Sequence, residues 1–208
     1  MIVLAATRRA VRQVANLALL GSAGSVMGLA ILRPDLDISR DPISEYVHGP
    51  FAFVQIAVFF AVGAASIVIA LALWQVGASG KGRLTAILTF VWGVGILIAG
   101  LIDVEDRVLG TDEGAIHDLV VKAAFVVLLG AAVTAVRHTP PRSRERAIAA
   151  ALVLVMGGAI VLTATTEGGR WFGLTERILA ATAVAWLLVV GSRLSAQADA
   201  SRRQVSSS

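Results

Sequence analysis

Cysteine is absent from the 208 residues, charged side chains make up only 15% and aromatic ones only 6%. Without cysteine there can be no disulfide, thiolate metal site or cysteine nucleophile. A soluble domain carries roughly 25% charged residues, so water is not the solvent for most of this surface. Histidine is scarce too: His48, His117 and His138 are the full set, and a zinc site would have to be completed by carboxylates. What the chain has in quantity is apolar side chains, at 57% with a mean hydropathy of +0.81.

Those residues fall into six stretches of few or no charges, at about 13–32, 51–76, 84–102, 115–136, 147–166 and 178–192. Each can cross a hydrocarbon layer of roughly 30 Å, which takes about 20 residues of helix. Backbone groups inside lipid must bond among themselves, and the stretches lack the ten-residue alternation of a membrane β-barrel. The fold class is therefore all-α, an integral membrane six-helix bundle occupying residues 1–194. Residues 195–208 are rich in serine and read as a disordered cytoplasmic tail. Arg8, Arg9 and Arg12 before the first stretch also suit a signal peptide, but the apolar run is long for one and a retained first helix is expected.

Basic residues divide unevenly between the two sides. One side has Arg8, Arg9, Arg12, Lys81, Arg83, Arg137, Arg142, Arg144, Arg146, Arg193, Arg202 and Arg203; the other has Arg33, Arg40, Arg107, Lys122, Arg170 and Arg177. Twelve against six places both termini in the cytoplasm of a cell-membrane protein. Acidic residues gather on the other side, at Asp35, Asp37, Asp41, Glu45, Asp103, Glu105, Asp106, Asp112, Glu113, Asp118, Glu167 and Glu176. Because acidic residues contribute little to orientation, this second asymmetry marks the outer face as the polar one. No aromatic residues are interleaved with the basic ones, so nucleic acid is not an expected partner. The partner is the bilayer, and the loop with Arg137, Arg142, Arg144 and Arg146 suits anionic headgroups.

Small residues recur at helix-packing spacing, as at Gly21, Gly24, Ser25 and Gly28, and again at Gly93, Gly95, Gly100, Gly157 and Gly158. Trp74 and Trp171 fall near the expected interfaces, whereas Trp92 and Trp186 fall deeper, where packing is their expected role.

The residues that could carry chemistry lie at outer helix ends. Asp41-Pro42-Ile43-Ser44-Glu45 reads as a helix start with Asp41 as N-cap and Pro42 in the first turn, ended by Gly49-Pro50. Asp103 closes the third stretch, where the helix dipole is already negative, so it needs a compensating charge from His117, Lys122, Arg177, Arg40 or a bound cation. Lys122 can reach Asp118 four residues earlier on the same helix. Thr175 is a plausible cap for the sixth helix, with Glu176 and Arg177 in its first turn.

Taken in order, Arg40 to Glu45, Asp103, His117-Asp118 and Gly173-Leu174-Thr175-Glu176-Arg177 resemble the bacterial and archaeal membrane family known as domain of unknown function 998. The resemblance spans roughly residues 14 to 194. It implies a six-helix bundle with polar residues gathered on one side, and it brings no established reaction with it. Glu176 stands where the resemblance implies glutamine.

Three functional classes follow. Mixed charges without catalytic spacing point first to a non-enzymatic protein binding a small ligand, lipid headgroup or partner through Glu45, Asp118, Lys122 and Arg177, with no cofactor expected. A membrane lipid or amide hydrolase would use Ser44 as nucleophile, His117 as base and Asp103 to orient it. No metal is expected, but Glu45, Asp103 and His117 are its ligands if one is present. A proton-linked transporter would need charges in mid-membrane, where Lys122 is the lone candidate.

Overall fold

The computed structural model describes residues 2–76, 80–109, 114–139 and 143–206. Six helices follow in order: α1 (Ile2–Leu32), α2 (Ala52–Val76), α3 (Gly80–Leu109), α4 (Gly114–His138), α5 (Arg144–Thr165) and α6 (Phe172–Ser206). A short 3-10 helix, Ile43–Val47, lies between α1 and α2. Every helix contains a span long and apolar enough to cross a membrane, over Gln13–Leu32, Ala52–Gln75, Gly82–Asp103, Ala115–His138, Arg144–Thr165 and Phe172–Ser192.

Each helix packs on the next and α6 closes on α1, with α2 and α4 also touching α6. The core runs down the middle through Leu19, Ile69, Trp92, Leu128, Met156, Trp186 and Leu187. Large apolar side chains such as Leu17, Leu154 and Val161 point outward. That outer coat is what a lipid solvent requires, and it leaves close packing to hold the helices together. The tightest approach is between α2 and α3, where Gly63 and Gly93 face one another. A Cβ on Gly63 would stand 2.7 Å from Leu97 and 2.9 Å from the Gly93 carbonyl oxygen.

Several local expectations are corrected. Gly21, Gly24, Gly28 and Gly158 have nothing within 4 Å of where a side chain would start, so they do not mediate close approach, whereas Gly93 and Gly100 do. Asp103 does not end its helix, because α3 continues to Leu109. The sixth helix begins at Phe172, so Thr175 is one turn inside it and its hydroxyl donates back to the Phe172 carbonyl at 2.8 Å. Apart from these corrections, the described backbone of α6 runs on past Ser195 to Ser206. Trp92 and Trp186 are buried as expected. Trp74 and Trp171 are exposed and stacked beneath Arg83 and Arg170 at 5.2 and 5.4 Å from their ring centres.

Candidate functional site

The site lies at the end of the bundle that bears the α1–α2, α3–α4 and α5–α6 connections. It is built from two clasps and a cavity between them.

The first clasp fixes residues 33–51 across the start of α6. Arg33, buried just beyond α1, grips Asp35 through Nε at 2.9 Å and Nη2 at 2.7 Å, and donates from Nη1 to the His48 carbonyl at 2.6 Å. The guanidinium holds the Asp35 carboxyl below the ordinary carboxylate range, and the Ser39 N–H does the same for Asp37. At the far end of the segment the chain turns through Gly49 at φ 81° and Phe51 at φ 63°. A phenylalanine in the left-handed region costs about 1–2 kcal/mol, so surrounding contacts have to hold that turn.

Arg33 supplies those contacts at the carbonyls of His48 and Pro50, and α6 holds the residues before the turn. Arg177 donates from Nη1 to the carbonyls of Asp41, Ile38 and Gly173 at 2.7, 2.9 and 2.9 Å, and from Nη2 to the Tyr46 hydroxyl at 3.0 Å. Glu176 accepts the Ile43 N–H at 2.6 Å. The N–H groups of Gly173 and Leu174 donate to the carbonyls of Arg40 and Ser39. Free N–H groups at a helix start are thus satisfied by the loop itself. Glycine is required at 173, since a Cβ there would run into the Asp41 carbonyl oxygen and the Arg177 guanidinium. Asp41 is not an N-cap, as its carboxylate accepts the Asp37 N–H at 2.7 Å and Pro42 precedes the 3-10 helix without a side-chain cap.

The second clasp joins α3 to α4. His117 Nδ1 lies 2.8 Å from Asp103 Oδ1, and both side chains are buried. The two atoms are in close contact, and the ring nitrogen makes no aligned hydrogen bond. Phe59 of α2 meets the imidazole edge-on, with ring centres 5.7 Å apart. Of the compensating groups proposed for Asp103, the structure therefore selects His117. Lys122 instead reaches Glu167 at 2.8 Å and Asp118 at 3.6 Å, in an exposed triad that ties α4 to the α5–α6 connection.

Between the clasps is a cavity of about 540 Å³, within the 300–1,000 Å³ typical of ligand pockets. Its wall is almost wholly apolar, with Val26 and Ile31 of α1, Val58 and Val62 of α2, Trp92 of α3 and Phe125 of α4. Five polar side chains reach it: Ser22, Gln55, His117, Glu176 and Arg177. Ser22 donates to the Ala18 carbonyl, and the last three belong to the clasps. Gln55 differs. It is 1% exposed, its Oε1 has no partner, and its amide bonds to no other described residue.

Of the candidates named from sequence, His117 and Arg177 line the cavity, Asp103 stands behind His117 without lining it, and Asp118 and Lys122 also lie outside the lining. Ser44 is half-buried and Glu45 exposed; neither lines the cavity, and Ser44 makes no hydrogen bond to His117. Among the described residues no three His, Asp or Glu side chains gather closely enough to hold a metal ion. Arg137, Arg144 and Arg146 stand at the opposite end of the bundle, and Arg142 falls outside the described residues. Sequence reasoning missed Gln55, Arg33, Tyr46 and Glu167. A signal existed for Gln55, an amide alone in the first half of an otherwise apolar stretch.

The motifs that carried the resemblance thus meet in space: residues 40–45 dock on residues 173–177, and Asp103 meets His117. Residues 3–193 match the family model described as "Protein of unknown function (DUF998)". No curated protein and no solved structure matches the chain.

Proposed function

Because the chain belongs to the DUF998 family, whose name assigns no activity, function has to be read from the site, and we propose that this multi-pass protein binds a small ligand in its end cavity without transforming it. The observation that carries this reading is Gln55. A buried carboxamide oxygen without a partner costs about 1–3 kcal/mol, and such a cost is offset when a bound molecule supplies the missing hydrogen bond. Conversion of the ligand lacks support, since Ser44 neither lines the cavity nor hydrogen-bonds to His117, and the hydroxyl in the lining, that of Ser22, donates to the Ala18 carbonyl. Proton transport lacks it as well, because Lys122 is engaged at the surface by two carboxylates.

The positive-inside count supports an extracytoplasmic location for this end, with both termini in the cytoplasm of a cell-membrane protein. Arg137, Arg142, Arg144 and Arg146 then face the anionic cytoplasmic leaflet. Since the chain has no cysteine, single-cysteine variants report sidedness directly. In intact cells a membrane-impermeant maleimide should label Ser44→Cys, and it should label Ala200→Cys only after lysis. The binding reading is tested by native mass spectrometry of protein released from mild detergent. The expected result is an adduct of small-molecule mass that disappears in Ala180→Trp, which fills the cavity; an adduct-free wild type that no small molecule stabilises contradicts the reading.

A further inference from the structure

We infer that the ligand is a single-chain amphiphile with an uncharged, hydroxyl-bearing head, and that it enters sideways from the bilayer between α1 and α6. This deepens the proposal that the cavity is a binding site and rests on it.

The first support is where the cavity opens. On α1, Met27 and Ile31 line it although they are 71% and 80% exposed. Across from them on α6 are Ala180 and Val184, with the exposed Ala181 beside them. A residue that both lines a cavity and faces outward stands at its mouth. These residues all lie within spans, and Ala181 is nine positions into α6, or about 13 Å along the axis at 1.5 Å per residue. The mouth therefore gives onto hydrocarbon, and molecules dissolved in lipid reach it first. Small side chains on the α6 lip, against long flexible ones on the α1 lip, leave a slot that a chain can cross.

Size and polarity narrow the occupant further. At about 30 Å³ for each water-sized group, the cavity has room for roughly eighteen such groups, the bulk of one long aliphatic chain with a small head. Gln55 is the fourth residue of α2, so it stands at the polar end, while Val62, Trp92, Phe125 and Val184 extend the apolar wall inward. Head and chain have separate places in this geometry.

The charge of the head follows from the groups it would meet. His117 faces Asp103, Arg177 is engaged by three carbonyls and a hydroxyl, and Glu176 holds the Ile43 N–H. Glu176 and Arg177 line the wall as neighbours of opposite sign, so a charged head of either sign meets a repulsion along with an attraction and also gives up its hydration on entry. A neutral head avoids both costs. The Gln55 amide offers one acceptor and two donor hydrogens, and a hydroxyl both donates and accepts, so one or two hydroxyls satisfy it. Long-chain alcohols and monoacylglycerols have this chemistry.

The test uses three photoactivatable sixteen-carbon probes, an alcohol, a carboxylic acid and a plain hydrocarbon, added to the full-length protein in lipid vesicles. The alcohol should label α1 around residues 23–31 and α6 around residues 180–184, and unlabelled monoacylglycerol should compete. Gln55→Leu should lower alcohol labelling about fivefold, the worth of one neutral hydrogen bond, and leave hydrocarbon labelling unchanged. Ala181→Trp, at an exposed position compatible with folding, should slow alcohol labelling. Equal labelling by acid and alcohol overturns the assignment of the head, and unchanged labelling kinetics in Ala181→Trp overturns entry between α1 and α6. If a water-soluble compound binds instead and Ala180→Trp abolishes it, the lipid inference falls while the cavity remains a binding site. If no small molecule binds at all, both readings fall together.

Discussion

Arg177, half-buried, and Gln55, buried, both reach the same cavity, yet one makes four hydrogen bonds and the other none. The contrast separates two kinds of polar residue in a membrane bundle. Both Nη atoms of Arg177 are taken up by the protein, although its Nε has no partner among the described residues, so its work is to hold residues 38–46 on the bundle. An unsaturated group that lines a cavity, as Gln55 does, leaves a hydrogen-bonding demand that another molecule can meet. His117 stands between the two, paired by distance with Asp103 but without an aligned hydrogen bond.

The contrast is broken most severely on the saturated side. Arg177→Leu strips partners from the carbonyls of Ile38 and Asp41 and leaves Glu176 without its neighbouring cation. A hydrogen bond to a charged group contributes about 1.5–3 kcal/mol, so unfolding in detergent should shift by at least that amount. Arg177→Lys should recover little of it, because a single ammonium cannot reproduce the guanidinium fork. A loss below about 1 kcal/mol, the scale of a surface pair, would show that the loop is held by something else.

Next comes packing, which serves as a control that touches no polar group. Gly63→Leu forces α2 and α3 apart where their backbones meet, and overpacking of this kind costs about 1–3 kcal/mol. Thermal unfolding of the variant in lipid nanodiscs should show the loss, with lipid labelling following stability only. The exposed triad should matter least among the charges. Lys122→Ala removes a surface pair worth about 0.2–1 kcal/mol, readable as a small shift in denaturant midpoint.

A pH titration separates the loop clasp from the cavity. Arg33 depresses the Asp35 carboxyl in the folded protein, so the folded state holds that proton less tightly than the unfolded chain does. The contribution is complete above the unfolded value of about 3.9 and is lost as pH falls through the lower, folded one. Stability should therefore slope downward below about pH 4, and Asp35→Asn should flatten that slope slightly. Asp35 is exposed, so this is the smallest of the effects.

How much of this was legible before the structure depends on the range of the signal. The spans were, because continuous apolar runs report directly on lipid. Asp103 and His117 could be named as partners, since a buried carboxylate requires one, but sequence left His117 among several cations. The choice is made by α3 and α4 lying side by side. Loop registers were not legible. Charges after Asp103 read as a break, whereas α3 continues through them, and the start of α6 is set by carbonyls donated from residues 39 and 40, far away in the chain. Gln55 escaped notice because one uncharged amide scarcely lowers the hydropathy of a 25-residue helix.

Gln55 also supplies the most direct test. The unfolding free energy of delipidated Gln55→Leu should equal or exceed that of the wild type, because the substitution removes an unsatisfied group of similar size, while its capture of the alcohol probe falls. If Gln55→Leu instead loses more than about 1 kcal/mol of stability, the worth of a typical hydrogen bond, and captures the probe as well as the wild type, the amide is a structural partner and the cavity is not reserved for a ligand.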